Sequence, residues 1–276
     1  MTIQELDQLI EEGNSLKQIA QAYSEIAVLK LKKIRGMLDR NRVFFNEISA
    51  VYGLVKSFAL KKGLIVPKPK KRVSIILTSN FRFSGTISSS LIEFFTSSTK
   101  TLDTDRILIG KTAADHFKFN PMFSGSQTIL LSSDQPTPQE LINLVALIKD
   151  YHQVLVFYPR LKSLLVQRNT ATDITATSLP TRKEDSTIGF IFEPEIPKIL
   201  AFFDQSILTL LLEGTFLESE VAWTAARFIS MDQAETEANK FIKEQERLKS
   251  FAKKDLLNKQ ILESYAATLA VGKEAF

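Results

Sequence analysis

The chain has 276 residues, 44% of them hydrophobic, with 35 Lys and Arg against 31 Asp and Glu, two His and no Cys. Such a chain can bury a sizeable core and is not a disordered tract, and without cysteine it has no disulfides, thiolate metal sites or thiol switches. The net charge of +4 is modest but uneven. Lys30, Lys32, Lys33, Arg35, Arg40 and Arg42 crowd one stretch, and Lys61, Lys62, Lys68, Lys70, Lys71 and Arg72 another. An acidic partner and a solvated basic face both fit these runs.

Thr2 followed by Glu5 makes a capping box, so a helix is predicted to start almost at once. Its seam is read at alternating steps of three and four, the heptad spacing of a coiled coil: Leu6, Leu9, Gly13, Leu16, Ala20, Tyr23, Ala27, Ile34, Met37, Phe44, Ile48, Val51, Val55 and Phe58. The helix should run to about Lys62, before Gly63, Pro67 and Pro69, a span of roughly 90 Å at 1.5 Å per residue.

The middle of the chain alternates strand and helix signals, which argues for a mostly parallel sheet with helices on its faces. Strands are predicted at Arg72–Ser79, Ile107–Ile109, Thr128–Leu131 and Val154–Tyr158, and helices at Ser88–Phe95, from Lys111, and from Pro138 to Leu147. Leu164–Ser178 and Ile188–Phe192 read as edge strands or a long loop.

A second long helix should begin near Glu195 or Pro197 and continue to the C-terminus, weakened only at Gly214 and Gly272. Its seam is read as Met231, Ala234, Ala238, Phe241, Gln245, Leu248 and Ala252, then slipping to Leu256, Leu257, Ile261 and Leu269. Lys30 and Gln245 weaken the seam and help fix its register. The most apolar window, Ile199–Leu217, contains Asp204 and Glu213 and reads as a buried helix rather than a membrane span. The predicted architecture is therefore α/β: a long antiparallel coiled coil of terminal helices, residues 1–66 and 195–276, around a central Rossmann-like domain at 67–194. The same spacing also fits an ordinary helical-bundle core.

Several catalytic motifs nearly form and fail. Gly110, Lys111 and Thr112 look like the end of a phosphate-binding loop, but Asp105 stands where that motif needs glycine. Phe83, Ser84 and Gly85 lack the glycine that a nucleophile elbow requires before the serine. His116 and His152 have no second ligand at helical spacing and read as structural. No active site, cofactor site or metal site is predicted. Basic helices also suit a nucleic-acid binder or coiled-coil adaptor, yet no aromatic residues interleave with the basic runs as single-strand binding favours.

Ala225, Ala226, Arg227, Met231, Ala234 and Ala238 resemble the E-Q-A-A-R-M-x-A-M signature and its continuation in the gamma subunit of rotary F-type ATP synthases. Ile19, Ala22, Ile26, Ala27, Lys30 and Leu31 are similar to that family's N-terminal segment, and Thr78, Ser79 and Gly85, with Ile109, Gly110 and Lys111, to its sheet turns. The resemblance covers nearly the whole chain, thinly. It implies a non-catalytic rotor subunit, one copy per complex. Its partners would be the alpha and beta subunits of the catalytic head, the epsilon subunit and a membrane ring of c subunits, with no nucleic acid, and protons or sodium ions would drive it.

Under that resemblance Lys30, Lys33, Arg35 and Arg227 are candidate partner contacts. So are Lys253 and Lys254, standing at the family's Arg-Gln pair, and Gln260 in its following T-x-E. Lysine cannot reproduce arginine's bidentate fork, so this catch is altered here. The Asp-Arg-Gly of the sheet turn is Asn80, Phe81, Arg82, and Phe81 and Phe83 point to a different neighbour for the foot. No targeting segment is read, so the expected location is the cytoplasmic face of a plasma membrane, as a peripheral subunit.

Overall fold

The computed structural model describes residues 2–61, 71–81, 85–175 and 193–273, apart from the side chains of Lys61 and of residues 267–273. The chain divides into two compact units, Met1–Ile26 with Phe228–Phe276, and Ala27–Arg227. Helix α1 runs Ile3–Lys61, and the chain then alternates β1 Arg72–Leu77, α2 Ile87–Thr99, β2 Asp105–Ile109, α3 Lys111–Phe117, β3 Gln127–Ile129, α4 Pro138–Ile148, β4 Gln153–Ser163 and β5 Val166–Asp173 before α5, Ile196–Lys273. The predicted stop signals at Gly63, Pro67 and Pro69, and the predicted strand at Ile188–Phe192, lie outside the described residues.

Within the larger unit the sheet has the order β3-β2-β1-β4-β5. The β1–β2, β1–β4 and β2–β3 pairs are parallel, and β4–β5 is an antiparallel hairpin. Alternation along each strand sorts the core into two layers. Val73, Ile75, Leu77, Ile107, Ile109, Val154 and Val156 pack against Leu144, Val145 and Ile148 of α4 and Leu208, Leu212 and Phe216 of α5. Ile76, Leu108 and Phe157 face the other way, onto Leu91, Ile92 and Phe95 of α2, Phe117 and Trp223. β4 extends five residues beyond the predicted Tyr158, because its second half pairs with β5 rather than ending at a turn.

Two local devices shape the unit. The Thr137 hydroxyl accepts from Glu140 N at 3.3 Å while Thr137 N donates to the Glu140 carboxylate at 2.7 Å, closing a capping box at the start of α4. Gly110 sits at φ 98, and a Cβ there would fall 2.2 Å from the Thr78 carbonyl oxygen, so only glycine fits where the chain turns from β2 into α3.

In this unit α1 and α5 run antiparallel. Leu31, Ile34 and Leu38 pack on Leu217, Val221 and Ala225, then Tyr52 on Ile207, then Val55 and Ala59 on Ile196. The two acids within the apolar window are both bonded to α1: Asp204 accepts from Tyr52 Oη at 2.7 Å and Glu213 from Asn41 Nδ2 at 3.1 Å. By length and composition alone both α1 and α5 hold a stretch apolar enough to cross a membrane, but Ile207, Leu208, Leu210, Leu212, Phe216 and Leu217 of the α5 window are buried inside the chain.

In the smaller unit the same two helices also pair antiparallel. Leu6, Gly13 and Ala20 are buried from α1, and Met231, Ala238, Ile242 and Gln245 from α5. Gly13 lets the backbones close up, since a Cβ there would lie 2.8 Å from Ile242 Cγ1. Gln21 Nε2 donates to Glu235 at 2.7 Å, and Lys249 pairs with Asp7.

The seam differs from the predicted one in a regular way. One heptad position is as read: Leu6, Gly13, Ala20, Ala27, Ile34 and Val55, with Met231, Ala238 and Gln245 on α5. At the other, the expected Leu9, Met37 and Phe58 are partly buried, but the inward face is centred one residue later. Ile10, Lys17, Ser24, Leu31, Leu38, Phe45, Tyr52 and Ala59 turn inward on α1, whereas the expected Leu16, Tyr23, Phe44 and Val51 are about half exposed or more. On α5, Glu235, Ile242 and Lys249 replace the expected Ala234, Phe241 and Leu248. A step of four followed by three keeps the heptad but rotates the buried stripe, and here it brings the polar cross-links into reach. From Lys253 to Ala266 every α5 side chain is exposed, the expected Leu256, Leu257 and Ile261 included.

Candidate functional site

A dense polar cluster of the larger unit lies at the carboxyl ends of β1 and β3. The chain leaves β1 through Thr78, whose hydroxyl donates to the Ile109 carbonyl at 2.9 Å and accepts from Ala113 N at 3.0 Å. Asn80 follows. Its amide donates at 3.1 Å to the carbonyls of both Leu131 and Ser133, and its oxygen accepts from Lys111 N at 2.9 Å. These bonds occupy the first α3 amides that a phosphate would need, so the near-match at Gly110–Thr112 serves as a stitch between loops.

The stitched loops present Asp134, which is almost fully buried. Its carboxylate accepts from Ser79 Oγ at 2.8 Å, from Asn80 N at 2.7 Å and from the Arg227 guanidinium of α5 at 2.5 Å. Arg227 also donates to Ser79 Oγ at 3.0 Å. Two turns earlier on α5, the buried Glu220 pairs with Lys30 of α1 at 2.6 Å. Burial pushes the Glu220 carboxyl up, and the Lys30 ammonium opposes that shift. The Phe81 ring lies 5.3 Å from the Arg227 guanidinium carbon and 5.9 Å from Lys30 Nζ, within cation–π range of both.

A second cluster gathers on Glu218. It accepts from Arg42 of α1 at 2.9 Å, pairs with Arg160 of β4 at 3.2 Å and accepts from Tyr158 Oη at 2.8 Å. Burial pushes the Tyr158 phenol up to about 12, with the Glu218 charge adding to the shift. The cleft beside it is lined by Arg35, Leu38, Asp39 and Leu161. Both clusters join helix to sheet by paired charges, and neither sets a nucleophile beside a free base. Among the described residues no three His, Asp or Glu side chains are grouped to hold a metal ion. His116 packs edge-on against the Phe117 ring, and His152 N donates to the Lys71 carbonyl at 2.9 Å.

The predicted contact residues fall into two sets. Lys30 and Arg227 are engaged inside the chain, on Glu220 and Asp134. Lys30 therefore does more than weaken the seam, because it neutralises an acid buried opposite. Lys33, Arg35, Lys253, Lys254 and Gln260 are exposed. Sequence reading missed Asp134 and Glu220. Glu220 carried a usable signal, an acid inside the apolar run Ile207–Ala226, which needs a cation when buried. Asp134 carried none, being an ordinary loop acid 93 residues from its partner.

The family model described as ATP synthase matches residues 2–264. The ATP synthase gamma chain of Bacteroides fragilis is 24% identical over 296 aligned positions, spanning 98% of this chain and 99% of that one. That of Staphylococcus saprophyticus is 22% identical, spanning 98% and 99%. Among solved structures, a chain of the Euglena gracilis mitochondrial ATP synthase, in a structure of its OSCP/F1/c-ring in rotational state 3, aligns with a TM-score of 0.63 at 16% identity, covering 97% of this chain and 94% of that one.

Proposed function

The chain belongs to the ATP synthase gamma family, and on that premise we propose that it is the central-stalk rotor subunit of a proton- or sodium-translocating F-type ATP synthase. Rotation of a membrane ring of c subunits enters at the α/β domain, residues 67–194, and passes along the terminal helices, 1–66 and 195–276, to the alpha and beta subunits. ATP chemistry belongs to those partners, and the chain is not an enzyme by itself. Coupling then works by differential contact, each rotor angle favouring one beta conformation over another. The complex places the chain at the cytoplasmic face of the plasma membrane as a peripheral subunit, beside an epsilon subunit.

The observation that carries this reading is the antiparallel pairing of both terminal helices within one chain around an α/β domain, in a sequence matched by the family over residues 2–264. Exposed Lys33, Arg35, Lys253, Lys254 and Gln260 supply polar contacts to the head, and they should be salt-sensitive. Lys30 and Arg227 act from within the shaft. The test is recovery of the tagged chain from its native cells, with and without nuclease. Alpha, beta and epsilon subunits with ATPase activity are expected in both samples. Nuclease-sensitive nucleic acid in their place would overturn the rotor reading in favour of a basic coiled-coil adaptor.

A further inference from the structure

Lys30, Glu220, Arg227 and Asp134 alternate in sign and connect three elements of one unit. Glu220 and Arg227 are seven residues apart on α5, two helical turns, and so share a face. Glu220 reaches α1 through Lys30, while Arg227 reaches the loop after β3 through Asp134, which Ser79 and Asn80 tie to the end of β1. Phe81 lies near both cations.

Packing alone does not account for this face. Glu220 Oε2, Thr224 Oγ1 and Arg227 Nε are buried without a hydrogen-bond partner, an arrangement that costs stability. Apolar side chains of similar volume often stabilise such positions as well as buried ion pairs do. What ion pairs add is direction: Arg227 Nη2, shared between the fixed Asp134 carboxylate and Ser79 Oγ, defines one angle between sheet and helices, whereas apolar contacts tolerate sliding.

We infer that the Arg227–Asp134 and Lys30–Glu220 pairs form the joint that carries rotation from the sheet into the paired helices α1 and α5, with Arg227 and Asp134 as positioning residues. This rests on the rotor reading above. Under the rotor reading the nucleotide sits on the beta subunits, so loss of the joint leaves ATP hydrolysis running and uncouples it from ion movement.

The experiment uses inverted membrane vesicles from native cells carrying variant chains, scoring ATP-driven ion pumping per ATP hydrolysed alongside the melting temperature of each purified chain. The double variant Arg227→Met with Asp134→Leu should still fold, melting below the parent temperature because Ser79 and Asn80 lose their acceptor, yet pump at least fivefold less per ATP. Arg227→Lys, which keeps the charge but not the planar guanidinium, should recover about half of the parent ratio. Parent-like pumping by the double variant would overturn the joint and leave the pair merely structural. If the double variant fails to fold, Lys30→Met with Phe81→Leu decides, both side chains being partly exposed: a twofold or larger fall in the ratio supports the joint, and an unchanged ratio overturns it. A parent chain that assembles with no ATPase at all would instead sink the rotor reading.

Discussion

Helix α5 is one continuous element that lives in two environments. From Ile207 to Arg227 no residue is exposed, and apolar side chains point all round, because α1 packs on one side and the sheet and its helices on the other. Between Asp232 and Lys249 only Ala238, Ile242 and Gln245 are buried, and from Lys253 to Ala266 nothing is. A helix apolar on every face must be enclosed, whereas a striped one needs a single partner. The first stretch is held by volume, the second by register.

The largest break should come in the enclosed stretch. Trp223 is 1% exposed and packs with Phe95 and Phe157. Trp223→Ala should cost about 4 kcal/mol, read from chemical denaturation. The striped stretch is most sensitive where the backbones approach, so Gly13→Leu should cost about 2 kcal/mol by overpacking against Ile242. Amide hydrogen exchange locates the damage: lost protection around Asp7–Gln21 and Glu235–Lys249 is expected, and uniform loss across β1 and β4 would erase the distinction. The smallest effect concerns a helix end fixed by charge. Thr137→Ala should cost about 1 kcal/mol. Hydrogen bonds from the Thr137 and Ser132 amides hold the Glu140 carboxyl below its ordinary range. Its contribution is therefore full above the ordinary carboxylate pKa and fades as pH falls through the depressed one. Glu140→Gln should flatten that part of the pH–stability curve, and an unchanged acid limb would remove the charge from the account.

The same contrast explains what was legible. Strand and helix order followed from short β-branched runs and from Pro138, and the N-terminal capping box forms with Thr2 N 2.9 Å from the Glu5 carboxylate. The heptad was legible too, and one of its two inward positions, but the other was not. Lys17 and Ser24, Glu235 and Lys249 occupy inward positions, and a reading that seeks apolar residues steps to their neighbours instead. Lysine's aliphatic stem can line such a seam while its ammonium reaches a partner, as Lys249 reaches Asp7. The charge joint was illegible for a different reason: Asp134, Arg227, Glu220 and Lys30 meet only once the sheet has formed.

Three of the five tyrosines give their hydroxyl hydrogen to a carboxylate: Tyr52 to Asp204, Tyr151 to Asp105 and Tyr158 to Glu218. Each phenol is pushed above its ordinary value, to about 12 for Tyr151, chiefly by the Asp105 hydrogen bond, and to about 12 for Tyr158, chiefly by burial. Between the ordinary phenol pKa and those raised values, the folded chain withholds protons that an unfolded one gives up. In that alkaline window, tyrosinate absorbance in the ultraviolet becomes an optical gauge of unfolding that needs no added dye.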